Sequence, residues 1–315
     1  MLCPQYGILK MASITDEIAL AVPQFFTLYK DGRIDRHRQP GYATACDNPD
    51  AAVRSRDIVI NPETGTSVRL YLPKVADAEQ KLPLAIYIHG GAFVMGSTGW
   101  VTYHNFITSV VEQGKVIAAS VEYRLAPEHP LQAAYDDSWE AFQWTMSHRH
   151  GKGPDPWLTD HADFGRVFLG GESAGANIAH DVALRAGSSG DYRDWKISGL
   201  FLIHPFFGGK EEDQLYKLLC PESSGVDDDP RLNPAVDPRL AQMACKKVLF
   251  HVAENDFLLA RAKAYYEALK NGGVWKGDVE ILEIEGEGHG FHLLNPANPK
   301  AGIVAKDLVT FLTQV

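Results

Sequence analysis

No apolar stretch in this chain approaches the ~20 residues that a helix needs to cross a bilayer. The longest runs are strand-sized, so a membrane is not among the expected partners. Cysteine is scarce as well. Cys3, Cys46, Cys220 and Cys245 lie far apart, with no C-x-x-C pair and no histidines clustered at zinc spacing. In a chain of 315 residues this argues against a disulfide framework and reads as four reduced thiols in a reducing compartment, the cytoplasm. Basic residues are outnumbered, 30 Lys and Arg against 40 Asp and Glu, for a formal charge of −10. Nucleic acid and anionic membrane surfaces both reward basic patches, so neither is an expected partner. The opening "MLCPQYGILKMASITDEI" has neither the basic n-region nor the long apolar h-region of a secretory signal. Met11 ahead of "ASITDEI" reads as a start, and residues 1–10 as an upstream extension. Internal repeats and low-complexity tracts are missing too, and nothing in the pattern sets an oligomeric state.

What is present has a clear texture. "TDEIALAVPQFFTLYKDG" is amphipathic and predicts a short helix and loop within about residues 11–50, lying on a larger body. "DIVINPETGTSVRLYLP" predicts a hairpin, with β-branched residues on both arms and a turn over residues 62–65. From Leu84 onward "LAIYI", "VIAASVEY", "RVFLG", "ISGLFLIHP" and "KVLFHVAE" are near-continuous apolar runs, as in strands buried on both faces of a parallel sheet. Helical patterns alternate with them. In "ESAGANIAH" and beyond, Ala174, Ile178 and Val182 share a face, and in the terminal "AGIVAKDLVTFLTQV" Val304, Leu308, Phe311 and Val315 form a stripe. Strand alternating with helix predicts a single α/β domain with a mostly parallel sheet, the core running over about residues 51–315.

In such sheets reactive groups gather at the carboxyl ends of the strands. "GESAG" matches G-x-S-x-G at the junction of a predicted strand and helix, where a tight turn lifts Ser173 above the sheet near a helix N-terminus. "IYIHGGAFVMG" follows the first parallel strand. Gly90, Gly91 and Ala92 there can aim backbone N–H groups above Ser173, as acyl transfer requires for its oxyanion. His89 reads as a residue that shapes this loop. "FHVAENDFLLA" ends a strand at Asp256, for which a simple helix cap is the lesser reading, and "EIEGEGHGFHLL" exposes His289 between glycines, with His292 three residues on. The order Ser173, Asp256, His289, each past a strand end, makes a nucleophile, an orienting acid and a base the joint reading. "DDD" at 227–229 reads as a solvated acidic turn rather than a cation site. No metal or organic cofactor is called for.

Together "HGGAF", "YRLAPEHP", "GESAGANIAH", "VAENDFL" and "GEGHGFHLLNP" resemble the hormone-sensitive-lipase branch of the α/β-hydrolases, and "TDEI…YKDGRIDRH" resembles the plant carboxylesterases within it. The resemblance covers about residues 12–315. It implies an α/β-hydrolase fold with a small N-terminal helical cap, Ser173 as nucleophile, His289 as base and Asp256 as its acid. It also implies oxyanion donors at Gly91, Ala92 and Ala174, with Gly90 completing the loop. The implied partner is a small-molecule ester. The substrate pocket is expected at Phe93, Val94 and Met95, at Phe206 and Phe207, at Leu258, and at Phe25 or Phe26 of the cap. Two departures stand out: Ala92 replaces a third glycine, and the segment 206–234 is shorter than its counterpart in that family, which leaves the pocket's shape open. The same fold serves a gibberellin receptor whose histidine is replaced, and lyases such as dehydratases and cyclases. The presence of His289 favours catalysis over reception, and the intact Ser173, Asp256 and His289 favour hydrolysis over elimination.

Overall fold

The computed structural model describes residues 16–74, 80–190, 195–208 and 214–314. Residues 1–10, the first three positions of the helical pattern "EEDQLYKLL", and Val315 lie outside the described residues. The chain divides into two compact units, Met1–Gln39 and Pro40–Val315, a boundary ahead of the expected residue 50.

The described part of the first unit is a three-stranded antiparallel sheet of β1 (Ile18–Val22), β2 (Phe26–Tyr29) and β3 (Ile34–Arg36), in that order. This corrects the helical cap expected from the sequence. Pro23 has no N–H to give a helix and clashes with the preceding turn. Ile18, Val22, Phe26, Thr27 and Tyr29 are strand formers. Gln24 at φ 73° and Gly32 at φ 87° turn the two hairpins. Asp31-Gly32 between apolar arms is a hairpin signal that outweighs the apparent helical spacing. The ion pairs Lys30–Glu17 and Arg33–Asp16 close across the sheet at 2.8 and 2.7 Å.

The second unit opens with the expected hairpin, β4 (Val53–Val59) against β5 (Ser67–Pro73), in register from Val53 opposite Pro73 to Val59 opposite Ser67. Six parallel strands follow: β6 (Leu82–Ile88), β7 (Ile117–Glu122), β8 (Ala162–Glu172), β9 (Gly199–Ile203), β10 (Lys247–Ala253) and β11 (Asp278–Ile284). The eight-stranded sheet has the order β11-β10-β9-β8-β6-β7-β5-β4. Its helices are α1 (Val101–Gly114), α2 (Leu131–Ser147), α3 (Pro156–His161), α4 (Ala174–Ser188), α5 (Gln214–Leu219), α6 (Leu259–Asn271), α7 (Phe291–Leu294) and α8 (Ala301–Thr313).

Alternation along the buried strands sorts the core into two layers. Leu84, Ile86 and Ile88 of β6 pack with Ala174, Ile178 and Val182 of α4 and with Phe142 of α2. Ala85 and Tyr87 face the other way, into a cluster with Ile107 and Val110 of α1 and Val304, Leu308 and Phe311 of α8. Fully burying a Leu or Ile side chain is worth about 1.5–3 kcal/mol. A one-residue slip of β6 would exchange the two sets, so the register is firmly specified. Because β6 and β8 to β11 run parallel, the segments that follow them open on one edge of the sheet, and these segments carry Gly90, Ser173, His204, Asp256 and His289. No helix of the described residues is long and apolar enough to cross a membrane.

Candidate active site

Ser173 stands between the last residue of β8 and the first of α4, at φ 54° and ψ −119°. Such a backbone costs on the order of 1–3 kcal/mol and persists only where its surroundings fix it. Here the Ser173 N–H donates to Ile203 O at 2.9 Å, and Ser173 O accepts from Ala176 and Phe206, both at 3.1 Å. The flanking glycines are required by close approach: a Cβ on Gly171 would lie 2.3 Å from Ile88 O, and one on Gly175 2.0 Å from the same oxygen. The motif's small residues thus let α4 start directly against the end of β6.

The three expected residues meet. Ser173 Oγ lies 2.9 Å from His289 Nε2, and His289 Nδ1 lies 2.8 Å from Asp256 Oδ2. Asp256 Oδ1 also accepts from Leu258 N at 2.9 Å in the turn ahead of α6, whose N-cap is Leu258 and carries no side-chain cap bond. The loops after β10 and β11 are zipped together. Asn255 N donates to Glu287 O at 2.8 Å, and Gly286 N to Glu254 Oε2 at 2.7 Å. Gly290 N donates to His204 Nδ1 at 3.1 Å, which fixes the backbone just past His289.

Burial disfavours a charged His289, yet the hydrogen bond to Asp256 and the charges of Glu172 and Asp256 raise its pKa above the ordinary histidine value. His292, three residues on, lies buried in α7 with neither ring nitrogen hydrogen-bonded among the described residues. Burial and the neighbouring His251 and His289 push it down to about 3. It cannot serve as a base in the way His289 can.

After β6 the chain turns through Gly91 at φ 112°, Ala92 at 55° and Phe93 at 65°. Ala92 therefore takes a left-handed backbone that a glycine would adopt without strain. Among the described hydrogen bonds none uses the N–H of Gly91, Ala92 or Ala174. His89, fully buried, donates from Nδ1 to Gly90 O at 2.8 Å and stacks on Tyr123 with ring centroids 4.3 Å apart. Tyr123 in turn donates to His89 O at 2.9 Å. Beyond the turn, Glu122 accepts from Thr98 N at 2.6 Å and Thr98 Oγ1 at 2.7 Å, pinning the loop's far end.

The expected pocket residues divide. Phe93 packs edge-on against Phe206 and Tyr216, with centroids at 5.7 and 6.3 Å, and Phe206 bonds through its N–H to Ser173 O. Met95 is buried beside the same turn. Val94, Phe207 and Leu258 are buried as Phe93 is, and Phe207 packs on His180 and Tyr265. Phe25 and Phe26 belong to the first unit, at the turn and start of β2. Asp229 corrects the solvated-turn reading of 227–229. It is buried and held by Arg231 at 2.8 Å and Ser223 at 2.6 Å, while Asp227 pairs with Arg261 at 3.1 Å.

Sequence reasoning passed over Phe257, whose ring is 69% exposed and lies 5.2 Å from that of His289. It also passed over Glu172 and Tyr216. For Phe257 the available signal was adjacency to Asp256. Asn177 of α4 ties down the segment after β9, donating to Phe206 O and Arg231 O at 2.7 and 2.6 Å while accepting from Tyr135. His204, Asp256 and His289 bring nitrogen and oxygen atoms within 4.8 Å of one another. His289 Nδ1 and Asp256 Oδ2 are engaged with each other and His204 Nδ1 with Gly290, while the buried His204 Nε2 has no hydrogen-bond partner among the described residues.

A parallel sheet with a hydroxyl, an imidazole and a carboxylate in series at its carboxyl edge can draw a proton off the hydroxyl and store it on the ring. Residues 85–293 match the family model described as the alpha/beta hydrolase fold, and the chain belongs to that family. It is 41% identical over 317 residues to tuliposide A-converting enzyme 1, chloroplastic, of Tulipa gesneriana, covering 95% of this chain and 79% of the relative. It is 40% identical over 314 residues to probable carboxylesterase 1 of Arabidopsis thaliana, covering 95% and 98%. Among solved structures, esterase Est22 shares the fold at TM-score 0.69 and 21% identity, with 86% and 84% covered.

Proposed function

We propose that the chain is a carboxylesterase that works through Ser173, His289 and Asp256 and an acyl-enzyme. The relatives support ester hydrolysis as the reaction class, and the chain is a carboxylic ester hydrolase. The observation that carries the residue roles is the continuous hydrogen-bond series of 2.9 and 2.8 Å, and the N–H groups of Gly91, Ala92 and Ala174, which no described hydrogen bond uses, support the oxyanion reading.

Ser173 Oγ attacks the ester carbonyl as His289 Nε2 takes its proton. The N–H groups of Gly91, Ala92 and Ala174 receive the developing oxyanion, and Asp256 holds the ring by Nδ1–H. Collapse breaks the bond to the alkoxy group, which leaves with the proton from Nε2. Water then attacks the acyl-enzyme, His289 again accepting the proton, and the carboxylic acid departs from a restored Ser173.

The substrate reading is a short acyl chain on a fairly bulky alcohol or phenol. The aromatic cluster of Phe93, Phe206 and Tyr216 supports it, as does the single short helix, α5, among the described residues of the segment 206–234. The proposed location is the cytosol, where the described thiols Cys46, Cys220 and Cys245 stay free. The tulip relatives are named as chloroplastic or amyloplastic, and imaging a fluorescent fusion separates the two.

The test is turnover of p-nitrophenyl acetate with Ser173→Ala beside it. The variant is expected to fold and to lose activity by on the order of 10⁴-fold or more, and an organophosphate should label Ser173 alone. Label elsewhere, or near-normal turnover by the variant, overturns the assignment, and an elimination product from a natural ester would make the enzyme a lyase.

A further inference from the structure

Glu172, the second letter of "GESAG", is only 4% exposed. Its Oε1 lies 3.8 Å from His289 Nε2, the ring nitrogen that faces Ser173. Its Oε2 accepts from the hydroxyl of Tyr103, on α1, at 3.4 Å. Gly90 is small because this carboxyl occupies the space beside it: a Cβ there would stand 2.0 Å from Oε2. On the other side, a Cβ on Gly290 would meet Oε1 at 3.5 Å. The carboxyl is therefore wedged between the loop after β6 and the loop that carries His289.

Burying a carboxyl is costly unless its charge is used, and packing alone would be served as well by an uncharged side chain. The group that can use the charge is the imidazolium formed when His289 takes the serine proton. Asp256 meets that cation at Nδ1. We propose that Glu172 is a positioning residue for the reaction, its carboxylate facing the Nε2 edge of His289 and stabilising the imidazolium during acyl transfer. This rests on the esterase reading. The ring then works between two carboxylates.

The titratable groups packed around this pair are Tyr87 of β6, Tyr103 of α1, Tyr123 after β7, Asp256 after β10, His204 after β9 and His292 of α7. Burial holds the three tyrosines neutral, and it holds His204 and His292 neutral together with their neighbouring imidazoles. Asp256 and Glu172 are left as the anions facing the ring. Burial pushes Glu172 up to about 7, opposed by the His289 charge and the Tyr103 hydroxyl. Glu172 and His289 consequently titrate in one range, and the pH–rate profile reads the pair.

The experiment is the pH dependence of kcat/KM and kcat on p-nitrophenyl acetate for the parent and Glu172→Gln, which keeps shape and removes charge. Without the anion the imidazolium is less stable and the neutral base survives to lower pH. The acid limb is expected to move down by about one unit, with plateau kcat lower by roughly tenfold and KM little changed. A folded, active variant whose limb stays in place overturns the proposal and leaves the esterase reading standing, since that falls only with Ser173→Ala. Should the amide fail to fold, Tyr103→Phe reads the same contact. Loss of the hydroxyl makes Glu172 easier to protonate, so the limb moves the same way by less, and an unmoved limb again overturns the proposal.

Discussion

Two polar neighbourhoods flank the ring of His289, and they treat histidine in opposite ways. One is the pair of carboxyls that meet its two nitrogens, Asp256 at 2.8 Å from Nδ1 and Glu172 at 3.8 Å from Nε2. The other is a set of imidazoles. The His204 ring lies 5.8 Å from that of His289 and 5.3 Å from that of His292, and 6.0 Å from His251 beyond. The His289 side chain keeps 23% of its surface exposed while Asp256, Glu172, His204, His251 and His292 are buried, and burial by itself lowers a histidine's proton affinity. His289 nevertheless rises, while His204 falls well below its ordinary value and His292 falls to about 3. What a ring faces, together with how deeply it lies, decides whether it can carry a proton. One short segment thus holds two histidines three residues apart whose proton affinities are shifted in opposite directions.

The sharpest way to break that comparison is to exchange the fates of the two histidines. His289→Ala is expected to cost on the order of 10⁴-fold in kcat, measured on a soluble aryl acetate. His292→Leu should stay within about tenfold, because a buried ring with no hydrogen-bonded nitrogen can give way to an apolar group of similar size. The reverse ranking would move the base by three positions.

The pH profile sharpens the same point in the unmodified protein. In the proposed reaction only neutral His289 accepts the serine proton, and its pKa lies above the ordinary ~6.5. Activity should therefore fall by about tenfold per unit as the pH drops below that raised value. A profile flat from pH 5 to 8 contradicts the carboxylate side of the comparison.

The imidazole side is read by stability. His292, neutral in the fold down to about 3, takes a proton in the unfolded chain near ~6.5. The unfolded state therefore binds more protons in that window, and stability is lost as pH falls through it. His292→Leu should move the midpoint of acid unfolding, followed by circular dichroism, to lower pH. A midpoint that stays or rises would show that the ring is not held neutral.

The smallest expected effect belongs to Phe257, the exposed ring beside His289. Aromatic contacts are worth about 0.5–1.5 kcal/mol, so Phe257→Ala should lower kcat/KM for phenyl esters about threefold to tenfold and leave ethyl esters nearly unchanged. Equal losses on both would remove Phe257 from the substrate's path.

The serine turn could be read from a few adjacent residues. Gly171, Ser173 and Gly175 sit where strand spacing gives way to helical spacing, and the constraint they answer, the approach to Ile88 O, forbids larger side chains. The parallel strands and the stripe of α8 were legible because long apolar periodicity admits few alternatives. The N-terminal strands were not. Over so short a stretch the spacing of Ile18, Val22 and Phe26 fits a helix as well as a hairpin, and Pro23 with Asp31-Gly32 decides between them. Phe257 and Leu258 are neighbours in sequence, yet Phe257 is exposed and Leu258 buried, a difference that residue type alone does not show.

By itself the sequence determined the local conformations: a buried parallel sheet, a strained turn at Ser173, loops that release Asp256 and His289 at strand ends, and the order in which they occur. Periodicity and turn chemistry act between near neighbours, so they can be read one residue at a time. Only the tertiary structure decided that Ser173 and His289, 116 residues apart, would stand 2.9 Å from each other. It likewise decided that Glu172 would face His289 from beneath Gly90 and that His292 would face imidazoles instead. Charge on a buried ring depends on distances between segments remote in the chain, and those are fixed when the sheet's register brings five strand ends to one edge.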